Sequence, residues 1–375
     1  MVRAKAVVWA QEPAAPLVQE RAEFGTNTGH GNLLGIQPFV RPTDYTSGVA
    51  LRAKLAGYLD IARDEGWLCD KTIVVFPEYV GTWLAAAGGK PAVYRADTLQ
   101  RAMLHAMRGR LGAFVAQLFT VRARDRAKAA LFAAQARQMA GTYDQVFADL
   151  AGQYQVTIVA GSIVLPAPEV REGRLVLMKG RLYNVSAVYR ADGMLYPELV
   201  HKCFPLWSEL EFLAAGCVRD LPVYDTPAGK LGVLICADSW YPQCYGVLAG
   251  KGAQIIVVPS YLRPDHVWSQ PWRGYDGAAA PADVDAEDIG RLTEGQAWLK
   301  YALGGRCAVA GIASGINVFL RGDLWDLGSD GHTVVVRGSS VLEARHGTGA
   351  AIVNSWIVGP TGPVGPTGPQ VIGKD

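Results

Sequence analysis

The chain has 375 residues, 50% of them hydrophobic and 19% charged; with roughly 25% charged residues typical of a soluble domain, this one can bury a large core and is not a disordered chain. Lys and Arg number 36 and Asp and Glu 34, a formal charge of +2, which gives no global attraction to nucleic acid or to a membrane surface. No uncharged apolar stretch approaches the roughly 18 residues of a membrane span, and the apolar run at 6–10 is too short for a signal-peptide core, so a cytoplasmic enzyme is expected.

Short apolar runs rich in β-branched residues at 72–76, 156–163, 182–189, 232–237, 254–259, 307–313, 333–336 and 350–358 read as strands. Stretches with apolar spacing near 3.6 at 49–67, 99–119, 124–154 and 241–251 read as helices. This interleaving predicts α/β layers. Residues 24–48, rich in Gly, Thr, Asn and Pro, read as a long loop. Residues 84–154 read as a mostly helical segment added to that core, with a basic face of Arg101, Arg108, Arg110, Arg122, Arg124, Arg126 and Lys128. That face is read as solvated, with docking to a partner or to anionic lipid as the alternative. The last residues, 359–375, begin with four triplets at 359–370 that carry Gly at every third position, and read as a flexible polyproline-like tail. Residues 1–358 are expected to form a single domain.

The six cysteines are scattered with no C-x-x-C pair, and the six histidines form no ligand spacing, so neither a disulfide framework nor a metal centre is expected. No phosphate loop, dinucleotide fingerprint or serine elbow is present. Three places could carry chemistry. In Gly232-Val-Leu-Ile-Cys236-Ala-Asp238 a cysteine ends an apolar strand, where a thiolate and a developing oxyanion can be stabilised by free N–H groups; a plain buried cysteine is the alternative. In Thr72-Ile-Val-Val-Phe-Pro-Glu78 a carboxylate follows a strand and a ladder-stopping proline, as a general base could. In His201-Lys202-Cys203-Phe204-Pro205-Leu206-Trp207-Ser208-Glu209, Lys202 sits among apolar residues where its ammonium could face an oxyanion. A surface Glu and a surface Lys are the alternatives.

Taken together, Phe-Pro-Glu78, the Tyr-Asn-Val-Ser-Ala run with Asp192-Gly193 leading to Lys202, Pro205 and Glu209, and Leu-Gly-Val-Leu-Ile-Cys236-Ala-Asp238 with Pro242 resemble, in order and wording, the carbon-nitrogen hydrolase (nitrilase) superfamily, amidase-like branch. The resemblance runs from about residue 72 to 260. It implies a four-layer αββα sandwich, with Glu78 as general base, Lys202 as oxyanion-stabilising cation, Cys236 as nucleophile and Glu209 as the second carboxylate. It implies a homodimer or higher homo-oligomer, no cofactor, and a small-molecule amide or nitrile as substrate. Tyr79, Trp207, Ala237 and Trp240 are candidates for substrate contact, Ala237 through its backbone N–H. The chain departs from the family in the long spacing from Glu78 to Lys202 and in residues 24–48, which follow a stretch at 6–11 like the family's first strand. Amide hydrolysis is the expected reaction, because nitrile-cleaving members usually carry Trp-Glu after the cysteine and this chain has Ala-Asp. A nitrilase or an acyltransferase is the alternative within the family, and a catalytically silent scaffold the alternative outside it. Fast labelling of Cys236 by a thiol probe at neutral pH is the expectation that separates enzyme from scaffold.

Overall fold

A computed structural model describes residues 18–344 and 347–359. Two six-stranded sheets carry the fold. In the first, the strands lie in the order Glu20–Phe24, Ala351–Trp356, Asn32–Gln37, Thr72–Val75, Thr157–Val159 and Val188–Tyr189. The second runs Val223–Thr226, Gly229–Val233, Ile255–Ser260, Ser314–Phe319, Val334–Arg337 and Ser340–Glu343. The middle of each sheet is parallel: Asn32–Gln37 with Thr72–Val75 and Thr157–Val159, and Gly229–Val233 with Ile255–Ser260 and Ser314–Phe319. Parallel strands need cover on both faces, which is why these runs are mostly apolar and, apart from the start of Gly229–Val233, buried along their length.

The period-2 alternation of a strand sorts the side chains. Leu33, Ile73, Val75 and Val159 of the first sheet share one buried cluster with Val233, Ile316 and Val318 of the second, so these faces meet. Leu34, Ile36, Val74 and Ile158 point the other way, onto the helices Gly48–Asp64 and Arg126–Tyr154 through Leu55, Tyr58, Met139 and Phe147. The far side of the second sheet is covered by Pro242–Gly250, Glu294–Tyr301 and Leu303–Ala310. The result is the αββα sandwich that the resemblance implied.

The two sheets pack tightly at Gly35, where a Cβ would lie 2.6 Å from Val318 Cγ1 and 2.7 Å from Ile316 Cδ1. Gly35→Val should therefore overpack the sheet interface and destabilise by about 1–3 kcal/mol. A urea titration showing an unchanged midpoint would contradict that contact.

Several elements differ from expectation. Residues 24–48 are not a loop: they contain Asn32–Gln37, buried along its whole length in the middle of the first sheet, and the short strand Phe39–Val40. The polar residues that suggested a loop are paired inside, Asn32 Nδ2 donating to Trp67 O at 2.8 Å and to Asn354 Oδ1 at 2.6 Å, and Gly35 makes room for the second sheet. Residues 307–313, expected as a strand, begin inside the helix Leu303–Ala310 and pass Gly311, whose φ of +70° ends it. The strand is Ser314–Phe319; Val309, read as a strand residue, is 86% exposed. The helix expected at 99–119 breaks at Arg110 into Leu99–Gly109 and Leu111–Leu118. Of the basic face, Arg101 pairs with Asp97, Arg110 donates to Gln138 Oε1 at 2.6 Å and Lys128 lies 3.4 Å from Asp125. The stretch 6–11 and the Gly-Pro repeat beyond Gly359 lie outside the described residues. Among the described residues, no helix is long and apolar enough to cross a membrane.

Candidate active site

Glu78 and Cys236 both lie just past the carboxyl ends of central parallel strands, one from each sheet, where open α/β sheets present their ligands. Phe76 N still donates to Val159 O at 3.0 Å; Pro77 has no N–H to continue the ladder, and Glu78 follows with 1% exposure. Tyr79 next to it takes φ +63° and is held by a 2.8 Å bond from its N–H to Ser162 Oγ.

Lys202 leaves the short strand Val200–His201, its N–H bonded to Asn184 O at 2.9 Å. Its ammonium is 1% exposed and lies 2.8 Å from Glu78 Oε1, 2.9 Å from Glu209 Oε1 and 2.7 Å from Glu209 Oε2. Asn184 Nδ2 adds a donor to Glu78 Oε1 at 2.9 Å. Glu209 stands on the turn Trp207–Leu210, accepts Leu206 N at 2.7 Å and takes a hydrogen bond from the Tyr79 hydroxyl. Every charge removed from water here has an opposite charge or a donor against it, as burial demands.

Cys236 opens the 3₁₀ turn Cys236–Trp240 with φ +49°, a conformation L-residues adopt at a cost and keep where the surroundings fix it. Asp238, fully buried, fixes it: its carboxylate accepts Cys203 N at 2.9 Å, Phe204 N at 2.7 Å and Ile235 N at 3.3 Å. One side chain thus ties the cysteine turn to the segment that carries Lys202. Burial pushes the Asp238 carboxyl up to about 7 against the pull of those three donors and of Lys202.

Burial raises the Glu78 pKa, Glu209 raises it further, and Lys202 and hydrogen bonds from Lys202 and Cys236 oppose the rise without cancelling it. Lys202 is driven down by burial, but Glu209 and Glu78 outweigh that and hold it above the ordinary lysine value. The Cys236 thiol is pushed well up, first by burial and then by the Glu78 charge, with Lys202 opposing. A thiol raised in this way argues against fast labelling by a thiol probe at neutral pH.

These groups form the floor of a cavity of about 440 Å³ that Tyr79, Tyr261 and Leu206 also line. Its wall includes Leu99, Met103 and Ala106 of the helix Leu99–Gly109 and Leu131 and Phe132 of the long helix, so the helical segment after Glu78 lines the cavity. Of the other expected substrate contacts, Tyr79 lines the cavity and Ala237 is buried beside the cysteine. Trp207 is 64% exposed and outside the lining. Trp240 is buried behind the turn against Trp272 and Trp298, at ring separations of 5.7 and 4.9 Å, and is also outside it. Asn184 and Asp238, both within the motif runs, tie the site together through Glu78 and the Cys203 and Phe204 N–H groups. A polar residue inside an apolar run was the available signal, since burial obliges it to find partners. Among the described residues, no group of three or more His, Cys, Asp or Glu could hold a metal ion.

Residues 70–280, more than half of the chain, match the carbon-nitrogen hydrolase family model. Among curated proteins, the chain is 31% identical over 117 residues to the probable hydrolase YhcX of Bacillus subtilis, covering 31% of this chain and 20% of that protein. It is 30% identical over 172 residues to the omega-amidase NIT2 of Danio rerio, covering 40% of this chain and 56% of that one. The chain thus spans from a fifth to just over half the length of these relatives. Among solved structures, an amidase from Nesterenkonia aligns with a TM-score of 0.52 at 15% identity over 88% of this chain and 90% of its own. Nit3 of Saccharomyces cerevisiae aligns at 0.50 and 18% identity over 88% and 92%.

Proposed function

The chain belongs to the carbon-nitrogen hydrolase family, and from that premise we propose that it hydrolyses the C–N bond of a non-peptide amide through a thioester on Cys236. What carries the reading is the meeting of Glu78, Lys202 and Cys236 at one cavity floor, from three separate segments, with the pKa of Glu78 raised and Lys202 kept charged.

Glu78 accepts the thiol proton while sulfur bonds to the carbonyl carbon. The carbonyl oxygen becomes an oxyanion facing the Lys202 ammonium and the Ala237 N–H. As the C–N bond breaks, Glu78 returns the proton to nitrogen, and ammonia or an amine leaves. Water then gives a proton to Glu78 as its oxygen attacks the thioester. When the C–S bond breaks, sulfur recovers the proton, and the carboxylic acid is released. Glu209 acts as a positioning residue: bonded to Lys202 through both oxygens and anchored by Leu206 N, it fixes the ammonium. Charged Lys202 suits an amide directly, because the amide intermediate carries an oxyanion, whereas a nitrile gives a nitrogen anion that needs a proton.

The test is kcat/KM on matched amide and nitrile pairs that share an acyl group, with ammonia release as the readout. Amides should lead by about tenfold or more, the size of one modest charge-stabilising interaction. A nitrile advantage across several pairs would reverse the assignment.

A further inference from the structure

We propose that the preferred amides carry a long, uncharged apolar chain on the acyl side, an inference that rests on the amidase function proposed above. The cavity of about 440 Å³ is within the size range of sites for drug-sized ligands and far larger than a two-carbon amide needs. Glu78, Lys202, Glu209 and Cys236 form its floor. Away from the floor the wall is Trp83, Met103, Leu131, Phe132, Trp325 and Leu327, supplied largely by the helical segment between Glu78 and Lys202.

This wall is fastened in place. Trp325 Nε1 donates to Val93 O at 3.0 Å, Leu99 N donates to Asp326 Oδ1 at 2.7 Å, and the Trp83 and Trp325 rings meet edge to face at 5.7 Å. The polar side chains of the lining beyond the floor are engaged or exposed. Thr82 Oγ1 accepts Val164 N at 3.1 Å, and Lys128 sits 3.4 Å from Asp125, 3.9 Å from Glu211 and over the Phe212 ring. Asp276 accepts Trp207 N at 3.2 Å, and Arg263 is exposed. A charged chain end held among Trp83, Met103, Leu131, Phe132, Trp325 and Leu327 would thus lose water against apolar side chains. The chain is assigned to the acyl side because that half of the substrate stays on Cys236 through both chemical steps, so its burial stabilises both transition states.

Two series test this on the full chain: kcat/KM for straight-chain amides from propionamide to octanamide, and the Kd of the same amides for Cys236→Ala by calorimetry. Each added methylene should raise kcat/KM about fourfold until the arm is filled, and Kd should fall in parallel. Ala106→Phe, which narrows the arm, should cut the octanamide-to-propionamide ratio at least tenfold. A flat series in both measurements, a rise confined to N-alkyl acetamides, or a suberic acid monoamide outrunning octanamide would overturn the inference. Tightening Kd with no turnover of any amide would support the chain site and overturn the hydrolase function beneath it.

Discussion

Cys236→Ala should remove amide turnover by on the order of 10⁴-fold or more while leaving the fold intact. The sulfur is the only atom deleted, and alanine inherits the same backbone demand, since both residues carry a Cβ at φ +49°. The hydrogen bonds that shape the turn, from Ser239 Oγ to Cys236 O at 2.7 Å and from three N–H groups to Asp238, do not use the sulfur. Stability should therefore change by no more than about 1 kcal/mol. Cys203→Ala and Cys244→Ala are the controls. Both are buried, but Cys203 serves Asp238 through its backbone N–H, and Cys244 is within the helix Pro242–Gly250. Each should keep activity. Full activity in purified Cys236→Ala, with an intact circular dichroism spectrum, would remove the thiol mechanism altogether.

Lys202→Met should damage both activity and stability. Methionine fills much of the same stem volume but leaves Glu78 and Glu209 buried with no cation between them. Loss of the oxyanion donor should lower kcat about 10²- to 10³-fold. Breaking a buried ion cluster from one side typically costs about 3–5 kcal/mol. That cost should depend on pH in a defined direction. Glu78 is already raised by burial, and removing Lys202 raises it further. A carboxyl whose folded pKa lies above its unfolded value is favourable to folding below the unfolded pKa, and loses that contribution as pH rises through the folded pKa. Lys202→Met should therefore fall further behind the parent protein at pH 8 than at pH 5 in urea titrations. Equal stability at both pH values would mean that the ammonium does not hold the two carboxylates.

The parts of the site legible in the sequence share one physical form. Glu78 and Cys236 each end an apolar strand, and Lys202 is a charge inside an apolar neighbourhood; these patterns are local. What binds them is not local: Asn184 reaches Glu78 across 106 positions, and Asp238 reaches Cys203 across 35. The same limit hid the strand Asn32–Gln37. Its Asn and Gly have turn chemistry in isolation, and only the neighbouring strand with Asn354 and the facing sheet with Val318 turn them into core. The two tryptophans lie elsewhere for the opposite reason: proximity in sequence to Glu209 and Cys236 does not fix direction, so Trp207 faces solvent and Trp240 the far layer.

The measurement closest to the central claim is intact-protein and peptide mass spectrometry after an acid quench during steady-state amide turnover. The account predicts that a fraction of the protein gains the mass of the acyl group, located on the peptide containing Cys236 and absent from Cys236→Ala. Turnover of the same amide with no acyl adduct under any quench time, or an adduct on a different residue that survives in Cys236→Ala, would contradict it.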